Sequence, residues 1–229
     1  DRFNQYRHNS ESLVGWLDRY GAAEGHPNLA WETLPFIVNA AIGILPYPMV
    51  MSLYVLADKP ELQQRIVDDD LYGAALKETL RLHPAVPTIA RVVTQRVESE
   101  SAVIEKMASP EGQLYMNPMG ILRHPRGWSR PDDFIIDRWL PGWHDDADPD
   151  YRLYIPFGMG ARSCIGAAFA TKVLELFLRV VLSARTVSNP SGRPPRVAEG
   201  SLALVRRPFT LAFAERPGRV PRAGTPTAH

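Results

Sequence analysis

The stretch FGMGARSCIGAAFA, residues 157–170, contains the only cysteine in a chain of 229 residues. Gly158 and Gly160 allow the backbone to turn tightly and to approach a flat partner closely, and Gly166 removes a side chain just beyond the sulfur. A strong helix pattern begins directly after Cys164, so the thiol would lie at the positive end of a helix dipole, where the thiolate is favoured. The thiolate is the form that ligates metal or attacks carbon, and Arg162 beside it could clamp an anion. Cys164 is therefore the first candidate functional residue.

The spacing of these residues excludes some chemistries and leaves others open. A phosphate-binding P-loop and a Rossmann turn need glycine patterns that differ from glycines at 158, 160 and 166. A cysteine phosphatase would need an arginine shortly after the sulfur, where this chain has IGAAFA. A cysteine hydrolase stays open, with His83 or His124 as the base brought in by the fold. So does a structural role, in which Cys164 packs as a small hydrophobe where loop meets helix.

The composition is that of a globular protein with almost no net charge. Hydrophobic residues make up 45% of the chain, and 26 Lys and Arg against 25 Asp and Glu give a formal net charge of +1. This balance provides no electrostatic footprint for nucleic acid, so we expect no nucleic-acid partner. One cysteine cannot form an intrachain disulfide or a multi-cysteine zinc or iron–sulfur site.

Periodicity predicts a mostly α fold with small β-sheets. The strongest helix pattern is 165–184, which combines good helix formers with an apolar face. Residues 88–119 contain short β-branched runs separated by Ser, Pro and Gly and are expected to form a small sheet. The remaining predictions are helices at 10–23, 59–69 and 71–84, ordered loop at 123–156, a turn-rich linker at 188–196, a terminal hairpin at 201–215 and a disordered tail at 217–229.

One apolar segment, residues 34–57, carries no charged side chain and is long enough to cross a bilayer. Asn39 and the prolines at 35, 46 and 48 disfavour a membrane span, because each proline removes a backbone donor and clashes with the preceding turn. We therefore predict a buried, kinked core helix and no membrane span in this chain. The opening DRFNQYRHNS lacks the basic start and apolar core of a secretory signal, so we expect it to be internal.

Five positions of the cysteine loop form the pattern FxxGxRxCxG. The five positions are Phe157, Gly160, Arg162, Cys164 and Gly166. This pattern resembles the heme-binding signature of the cytochrome P450 family, whose heme iron is ligated by a cysteine thiolate. The resemblance implies a P450-like fold, of which this chain would be the C-terminal half, with heme b (iron protoporphyrin IX) as the cofactor.

The same resemblance implies a role for each loop residue. Cys164 would be the iron ligand, Arg162 would pair with a heme propionate, and Phe157 would pack beneath the ring near the sulfur. Gly158, Gly160 and Gly166 would let the loop lie against the porphyrin.

A second motif stands where the family places its structural triad. Glu78 and Arg81 in KETLR lie three apart on one face of a predicted helix and resemble the ExxR pair. Arg138 in PDDFIIDRWL resembles the arginine that completes the triad. By this resemblance the triad is buried and fixes the loop that carries Cys164. Alone, an ExxR pair is equally expected on a solvated helix surface, where it contributes roughly a few tenths of a kcal/mol.

The strand after Pro87 adds further residues by resemblance. Arg91 in TIARVVT resembles a second propionate contact, and Thr88 and Ile89 would line the substrate side of the heme. The alternative is that all three are ordinary strand residues.

Two features depart from the family. Most members carry an acid followed by threonine in the long central helix, to deliver protons during oxygen activation, whereas the equivalent positions here are Gly43 and Ile44. Neither side chain can relay a proton, although ordered water or a substrate hydroxyl can substitute. Relatives that use peroxide or rearrange an oxygenated substrate also dispense with the pair. The second departure is length, because the resemblance covers only the C-terminal half of a typical member and leaves the substrate pocket open or incomplete.

We therefore predict a heme-thiolate oxidoreductase part spanning residues 1–216 that oxidises or rearranges a small organic substrate, as a monooxygenase, peroxygenase or rearranging enzyme. No flavin, nicotinamide or iron–sulfur motif is present in the sequence, so electrons would come from a separate reductase. The alternatives are a truncated, noncatalytic heme-binding relative and, more distantly, a cysteine hydrolase. We expect an intracellular protein, with any membrane anchor in the N-terminal half of the fold.

Overall fold

The computed structural model describes residues 9, 11–94, 101, 112–143, 151–198, 202–205 and 209–216. The chain groups into two compact units, Asp1–Pro46 and Tyr47–His229. The boundary falls inside the apolar segment 34–57. The predicted tail at 217–229 lies outside the described residues.

The helices of the first unit are α1, Leu13–Ala23, and α2, Leu29–Ile44. The Ser12 hydroxyl caps α1 by accepting a hydrogen bond from the Gly15 amide at 3.0 Å, which satisfies one of the free amides of the first turn. In the last turn of α1, Gly21 packs against the segment that leads into α2, and a Cβ atom there would lie 2.4 Å from the His26 carbonyl oxygen. Any side chain at this position would clash with the backbone, so glycine is required for α1 and α2 to pack as they do.

Most of α2 is exposed, contrary to the predicted buried core helix. Ala30 is its one buried residue, while Phe36 and Ile42 are 72% and 70% exposed. Helix α1 packs against α2 in the first unit, and one short helix covers only one side of a 16-residue helix. The prediction is therefore wrong for α2. It agrees better with α3, Pro46–Leu56, in the second unit, where most side chains are buried.

The stretch Leu29–Leu56 meets the length and apolar composition needed to cross a membrane. Core helices of soluble proteins can meet the same two criteria, and this stretch contains prolines that disfavour a span. Our expectation that this chain has no membrane span stays a prediction.

The further described helices of the second unit are α4, Pro60–Asp68; α5, Tyr72–Leu82; α6, Pro118–Leu122; and α7, Ala167–Ala184. Helix α7 buries Leu174, Leu178 and Leu182, whose spacing of four places them on one face. Helix α7 contacts both α4 and α5. The helix that follows Cys164 is thus packed against the helix that carries Glu78 and Arg81.

Three short 3₁₀ turns lie within or next to the loops of the second unit. They are Ile136–Trp139, Tyr151–Leu153 and Gly160–Arg162. The first of them packs against α5. The second turn leads into the cysteine loop, and the third lies within it.

The described strands form three two-stranded antiparallel sheets. Strand β1, Ile89–Val92, pairs with β2, Gln113–Met116; β3, Arg185–Ser188, with β6, Ala212–Glu215; and β4, Val197–Ala198, with β5, Leu204–Val205. The predicted terminal hairpin at 201–215 is wrong, because its two strands pair with different partners. Strand β3 begins directly after α7, and no glycine or proline in the sequence marks the boundary between them. The predicted class, mostly α with small sheets, is confirmed.

Two side chains tie α4 to the end of the described chain. The buried Gln63 amide donates to the carbonyl oxygens of Leu56 and Val187, both at 2.8 Å, and accepts from the Val187 amide at 2.9 Å. The Arg216 guanidinium donates to the Leu182 carbonyl oxygen at 2.6 Å and to Gln64 Oε1 at 2.7 Å. Helix α4 and the C-terminal turn of α7 are therefore held by residues distant in sequence.

Candidate heme-thiolate site

The cysteine loop is closed by its own backbone. The Cys164 amide donates to the Phe157 carbonyl oxygen at 2.9 Å, and the Ser163 amide donates to the Gly160 carbonyl oxygen at 3.0 Å. Gly158 and Gly160 have φ values of 72° and 71°, in the left-handed region where a side chain costs about 1–2 kcal/mol. The two glycines therefore permit the turn that presents Cys164.

Several residues close to Cys164 in the sequence have exposed apolar side chains. The Cys164 side chain is exposed, and so are Met159, Ile165 and Phe169, at 69%, 102% and 64%. A Cβ atom at Gly166 would come within 3.8 Å of the Cys164 sulfur. An accessible sulfur amid exposed apolar side chains and glycines suits a flat, apolar group with a metal at its centre, so the residues present fit heme.

The predicted heme-contacting arginines lie at exposed positions. Arg162 ends the 3₁₀ turn Gly160–Arg162, two residues before Cys164. Arg91 lies on β1, and its Nη1 donates to the Ala90 carbonyl oxygen at 2.9 Å. Phe157, Thr88 and Ile89 are half-buried. The propionate and substrate roles of these residues remain predictions.

The structure brings Glu78, Arg81 and Arg138 together in the interior. Arg81 donates from Nε and Nη2 to the two carboxylate oxygens of Glu78, at 2.9 and 2.8 Å, in a bidentate pair. Arg138 Nε donates to Glu78 Oε1 at 3.3 Å. All three side chains have no exposed surface, so this is not the solvated surface pair that an ExxR motif alone would allow.

Glu78 has two further donors that sequence analysis did not identify. The Trp139 indole nitrogen donates to Oε2 and the Ile135 amide donates to Oε1, both at 3.0 Å. The carboxylate therefore accepts five hydrogen bonds, three of them from the two guanidinium groups. Trp139 directly follows Arg138, and this adjacency in IDRWL is the sequence signal that could have identified it.

The buried cluster holds two positive charges and one negative charge, so its surplus positive charge needs other acceptors. Arg81 donates to the carbonyl oxygens of the last residue of α6 and of two loop residues, and Arg138 donates to a carbonyl oxygen and a hydroxyl. These acceptors are Leu122, Pro131, Asp133, Arg130 and Ser129 Oγ, at 2.6–3.2 Å. Burial lowers the pKa of Arg138 while the attraction of Glu78 opposes that shift. The loop carbonyls thus compensate the charge, and the triad in turn fixes the loop.

Four aromatic rings extend the cluster. The Arg81 guanidinium lies 5.2 Å from the ring centroid of Trp128, which packs at 5.7 Å from Trp139. Trp139 also packs against Tyr151 and Tyr154, with ring centroids at 5.6 and 4.6 Å. The Tyr151 hydroxyl donates to the Arg138 carbonyl oxygen, and the Tyr154 hydroxyl donates to the Lys77 carbonyl oxygen at 3.3 Å. The segment that leads into the cysteine loop is thereby bound to both α5 and the triad.

His83, at the end of α5, is a weak candidate for the base of a cysteine hydrolase. Burial, with the positive charges of Arg123 and Arg81, lowers its pKa from 6.5 to about 4. A base with so low a pKa has little driving force to take a proton from a thiol at neutral pH. His124 Nδ1 accepts a hydrogen bond from the Arg126 amide at 3.2 Å. Neither histidine lends support to the hydrolase alternative.

The same pKa shift predicts a pH-dependent stability. In the unfolded chain His83 takes up a proton as the pH falls through 6.5, whereas the folded chain resists until about pH 4. Stability should therefore fall between pH 6.5 and 4, with His83 contributing up to about 3 kcal/mol of that loss. Urea unfolding at pH 7 and pH 4.5 should show a smaller loss for His83→Gln than for the wild type. Equal losses in the two proteins would mean that His83 is not buried as a neutral group.

Among the described residues, no cluster of three or more His, Cys, Asp or Glu side chains is placed to hold a metal ion.

Comparison with known proteins identifies relatives of this chain. The family model described as Cytochrome P450 matches residues 70–213. Human Cytochrome P450 3A7 is 30% identical over 92% of this chain and 46% of its own length. The (S)-N-methylcoclaurine 3'-hydroxylase isozyme 1 of Papaver somniferum is 30% identical over 72% of this chain and 32% of its own length. The chain therefore spans about a third to a half of the length of these curated relatives.

A solved structure shows the same fold. The heme domain of a cytochrome P450DA mutant superimposes with a TM-score of 0.64 at 23% identity, over 83% of this chain and 46% of the other. At this identity the likeness shows the fold alone, and it confirms the predicted P450-like fold. The family match includes the triad and the cysteine loop and extends over more than half of the chain. The chain belongs to the cytochrome P450 family.

Proposed function

We propose that this chain binds heme b through the Cys164 thiolate and forms the heme-thiolate part of an oxidoreductase that acts on a small organic substrate. Heme is the cofactor of the cytochrome P450 family. The observation that carries the proposal is the exposed Cys164 side chain, presented by a self-closed glycine loop just before α7.

The residues of the loop divide the work of holding the cofactor. Cys164 supplies the sulfur ligand, and the glycines at 158 and 160 keep the backbone free of side chains where a flat group approaches. The guanidinium of Arg162, and that of Arg91 on β1, pair with the propionates. Bound in this way, heme supplies the redox chemistry, the activation of dioxygen or peroxide for transfer of oxygen to a substrate.

The triad acts as a positioning device in this proposal. Glu78 and Arg81 hold the loop residues 122–139 through buried hydrogen bonds, and Tyr151 and Tyr154 tie the start of the cysteine loop to the same cluster. In this proposal the position of the sulfur depends on contacts made by residues outside the cysteine loop.

The family indicates a monooxygenation, the transfer of one oxygen atom to the substrate, and the alternative within this proposal is rearrangement of an oxygenated substrate. One relative at 30% identity is by name a hydroxylase. With dioxygen as the oxidant, a separate reductase would supply the electrons, whereas peroxide or an oxygenated substrate requires none. Gly43 and Ile44, near the end of α2, carry no group that can relay a proton, which favours use of peroxide or of an oxygenated substrate over dioxygen.

The first experiment is a hemin titration of the purified chain, followed by reduction and exposure to carbon monoxide. We expect one heme per chain and a strongly red-shifted Soret band, the signature of a thiolate on iron. An unshifted band, or no saturable binding, would overturn the proposal that Cys164 ligates heme in this chain.

A second experiment separates a catalytic chain from a noncatalytic heme-binding relative. The heme-loaded chain is given styrene with hydrogen peroxide, or with dioxygen and a reductase with its reductant. Styrene oxide formed with peroxide would support an oxidoreductase that bypasses the missing proton relay. No product under either condition, with the red-shifted band intact, would identify a noncatalytic heme protein.

A further inference from the structure

An aromatic pocket of about 400 Å³ lies beside α5, in the second unit. It is lined by Lys77, Trp139, Leu140, Pro141, Tyr151 and Tyr154. The pocket is open to solvent, so a ligand would lie against its wall rather than be enclosed. None of its lining residues belongs to the cysteine loop or to the predicted heme contacts, although three of its rings also pack around the triad, so the pocket is separate from the predicted heme position.

The aromatic walls of the pocket are fixed by contacts behind them. The three aromatic rings of the wall each donate a hydrogen bond to another protein group. Trp139 donates to Glu78, Tyr151 to the Arg138 carbonyl oxygen, and Tyr154 to the Lys77 carbonyl oxygen. Burial raises the pKa of Tyr154, so its hydroxyl stays neutral and remains a donor. With their polar ends engaged, the rings offer apolar faces and edges to the pocket. These surfaces suit a flat, unsaturated ligand, because aromatic rings pack well edge-to-face or offset-stacked.

The pocket also holds one positive charge. The Lys77 ammonium lies 5.7 Å from the centroid of the Trp139 ring, so it is over the aromatic wall rather than directed away from it. Within the described part of the chain, no carboxylate lies within 4.0 Å of this ammonium. Lys77 is exposed on α5, so a ligand can reach it from solvent. A cation at the edge of an aromatic wall selects for a negatively charged ligand group.

We propose that this pocket binds a flat aromatic anion, such as an aromatic carboxylate, with its ring against Trp139 and Tyr151 and its charge at Lys77. The site is separate from the heme and does not rest on the proposed heme chemistry. Because Trp139 also donates to Glu78, a ligand that packs against Trp139 would help to hold the triad in place. Binding should therefore raise the melting temperature of the chain.

The probe is 2-naphthoate, titrated into the purified chain by isothermal calorimetry, with the neutral 2-naphthylmethanol as its uncharged counterpart. We expect saturable binding of one naphthoate per chain, with a rise in melting temperature. Lys77→Gln should weaken naphthoate binding by about 5- to 10-fold, as for loss of one partly solvated charge pair, and leave the binding of 2-naphthylmethanol unchanged. Tyr151→Ala should weaken the binding of both compounds, because it removes part of the aromatic wall.

The matched control is Lys172→Gln, which removes the same positive charge from an exposed position on α7 outside the pocket. This variant should bind naphthoate as the wild type does. Cys164→Ser and hemin-saturated protein should also keep naphthoate binding, which separates this site from the heme site. The proposal is wrong if naphthoate does not saturate, if Lys77→Gln binds it as tightly as the wild type, or if hemin displaces it. Since Lys77 is on the surface, we expect Lys77→Gln to fold as the wild type does, and circular dichroism tests this.

Discussion

Replacing Cys164 with serine should abolish the red-shifted Soret band of the reduced, carbon monoxide-bound protein. A serine hydroxyl is not ionised at neutral pH and is a far poorer iron ligand than a thiolate, so any remaining heme would be held by weaker contacts. Since the Cys164 side chain is exposed, the chain itself should stay folded. Absorption spectra of the two proteins after the same hemin titration, with circular dichroism as the measure of folding, provide the test.

The matched control for this substitution is Ser163→Ala, which changes the neighbouring exposed position and leaves the sulfur in place. The backbone bond from the Ser163 amide to the Gly160 carbonyl oxygen does not depend on the serine side chain. This variant should retain the red-shifted band. If Cys164→Ser also retained it, the iron ligand would have to be another residue, and the assignment of Cys164 would fail.

Replacing Glu78 with alanine should lower the free energy of unfolding by about 3–5 kcal/mol, because it strands two buried guanidinium groups without their carboxylate. A loss of this size is a large part of the roughly 5–15 kcal/mol that holds a typical protein folded. Urea unfolding followed by circular dichroism measures it. The control is Glu215→Ala, which removes a carboxylate that is 83% exposed and pairs with Arg185 at 2.8 Å. That exposed pair should contribute no more than about 1 kcal/mol.

A milder substitution keeps this prediction testable if Glu78→Ala does not yield folded protein. Trp139→Phe preserves most of the ring and removes one of the five hydrogen bonds to Glu78, which should cost about 1–3 kcal/mol. Losses equal to that of Glu215→Ala for both variants would show that the cluster around Glu78 is solvated rather than buried.

The candidate site residues are predicted from the sequence because they fall in short patterns. A lone cysteine between glycines and a strong helix pattern locates the loop, and the helix begins at Ala167, within two residues of the predicted start. The family resemblance was needed to select Glu78, Arg81 and Arg138 from many charged residues, since an ExxR pair has no distinctive local signal. The predicted cofactor and family are confirmed.

Other parts of the fold could not be predicted because they depend on partners distant in sequence. The exposure of α2 reflects what packs beside it, and its apolar composition alone favoured a buried helix. The sequence of strands 204–205 and 212–215 is typical of one hairpin, but 212–215 pairs with the strand 185–188 before the turn-rich segment. Strand 204–205 pairs with the strand 197–198 directly after that segment. The carbonyl oxygens around Arg81 carry no side-chain signature, so their role as acceptors is visible only in three dimensions.

The contacts of Gln63 and Arg216 set an order in which the chain can complete its fold during synthesis. Gln63 bonds to Val187, 124 positions later, and Gln64 to Arg216, 152 positions later. As the ribosome releases the chain from its N-terminal end, α4 cannot acquire these partners until nearly the whole described chain has emerged. Pairings across such sequence separations form slowly, because a long loop must close before any contact is gained. Until residues 185–216 have emerged, Gln63 and Gln64 lack these partners, so α4 is among the last helices to be fixed in its final packing.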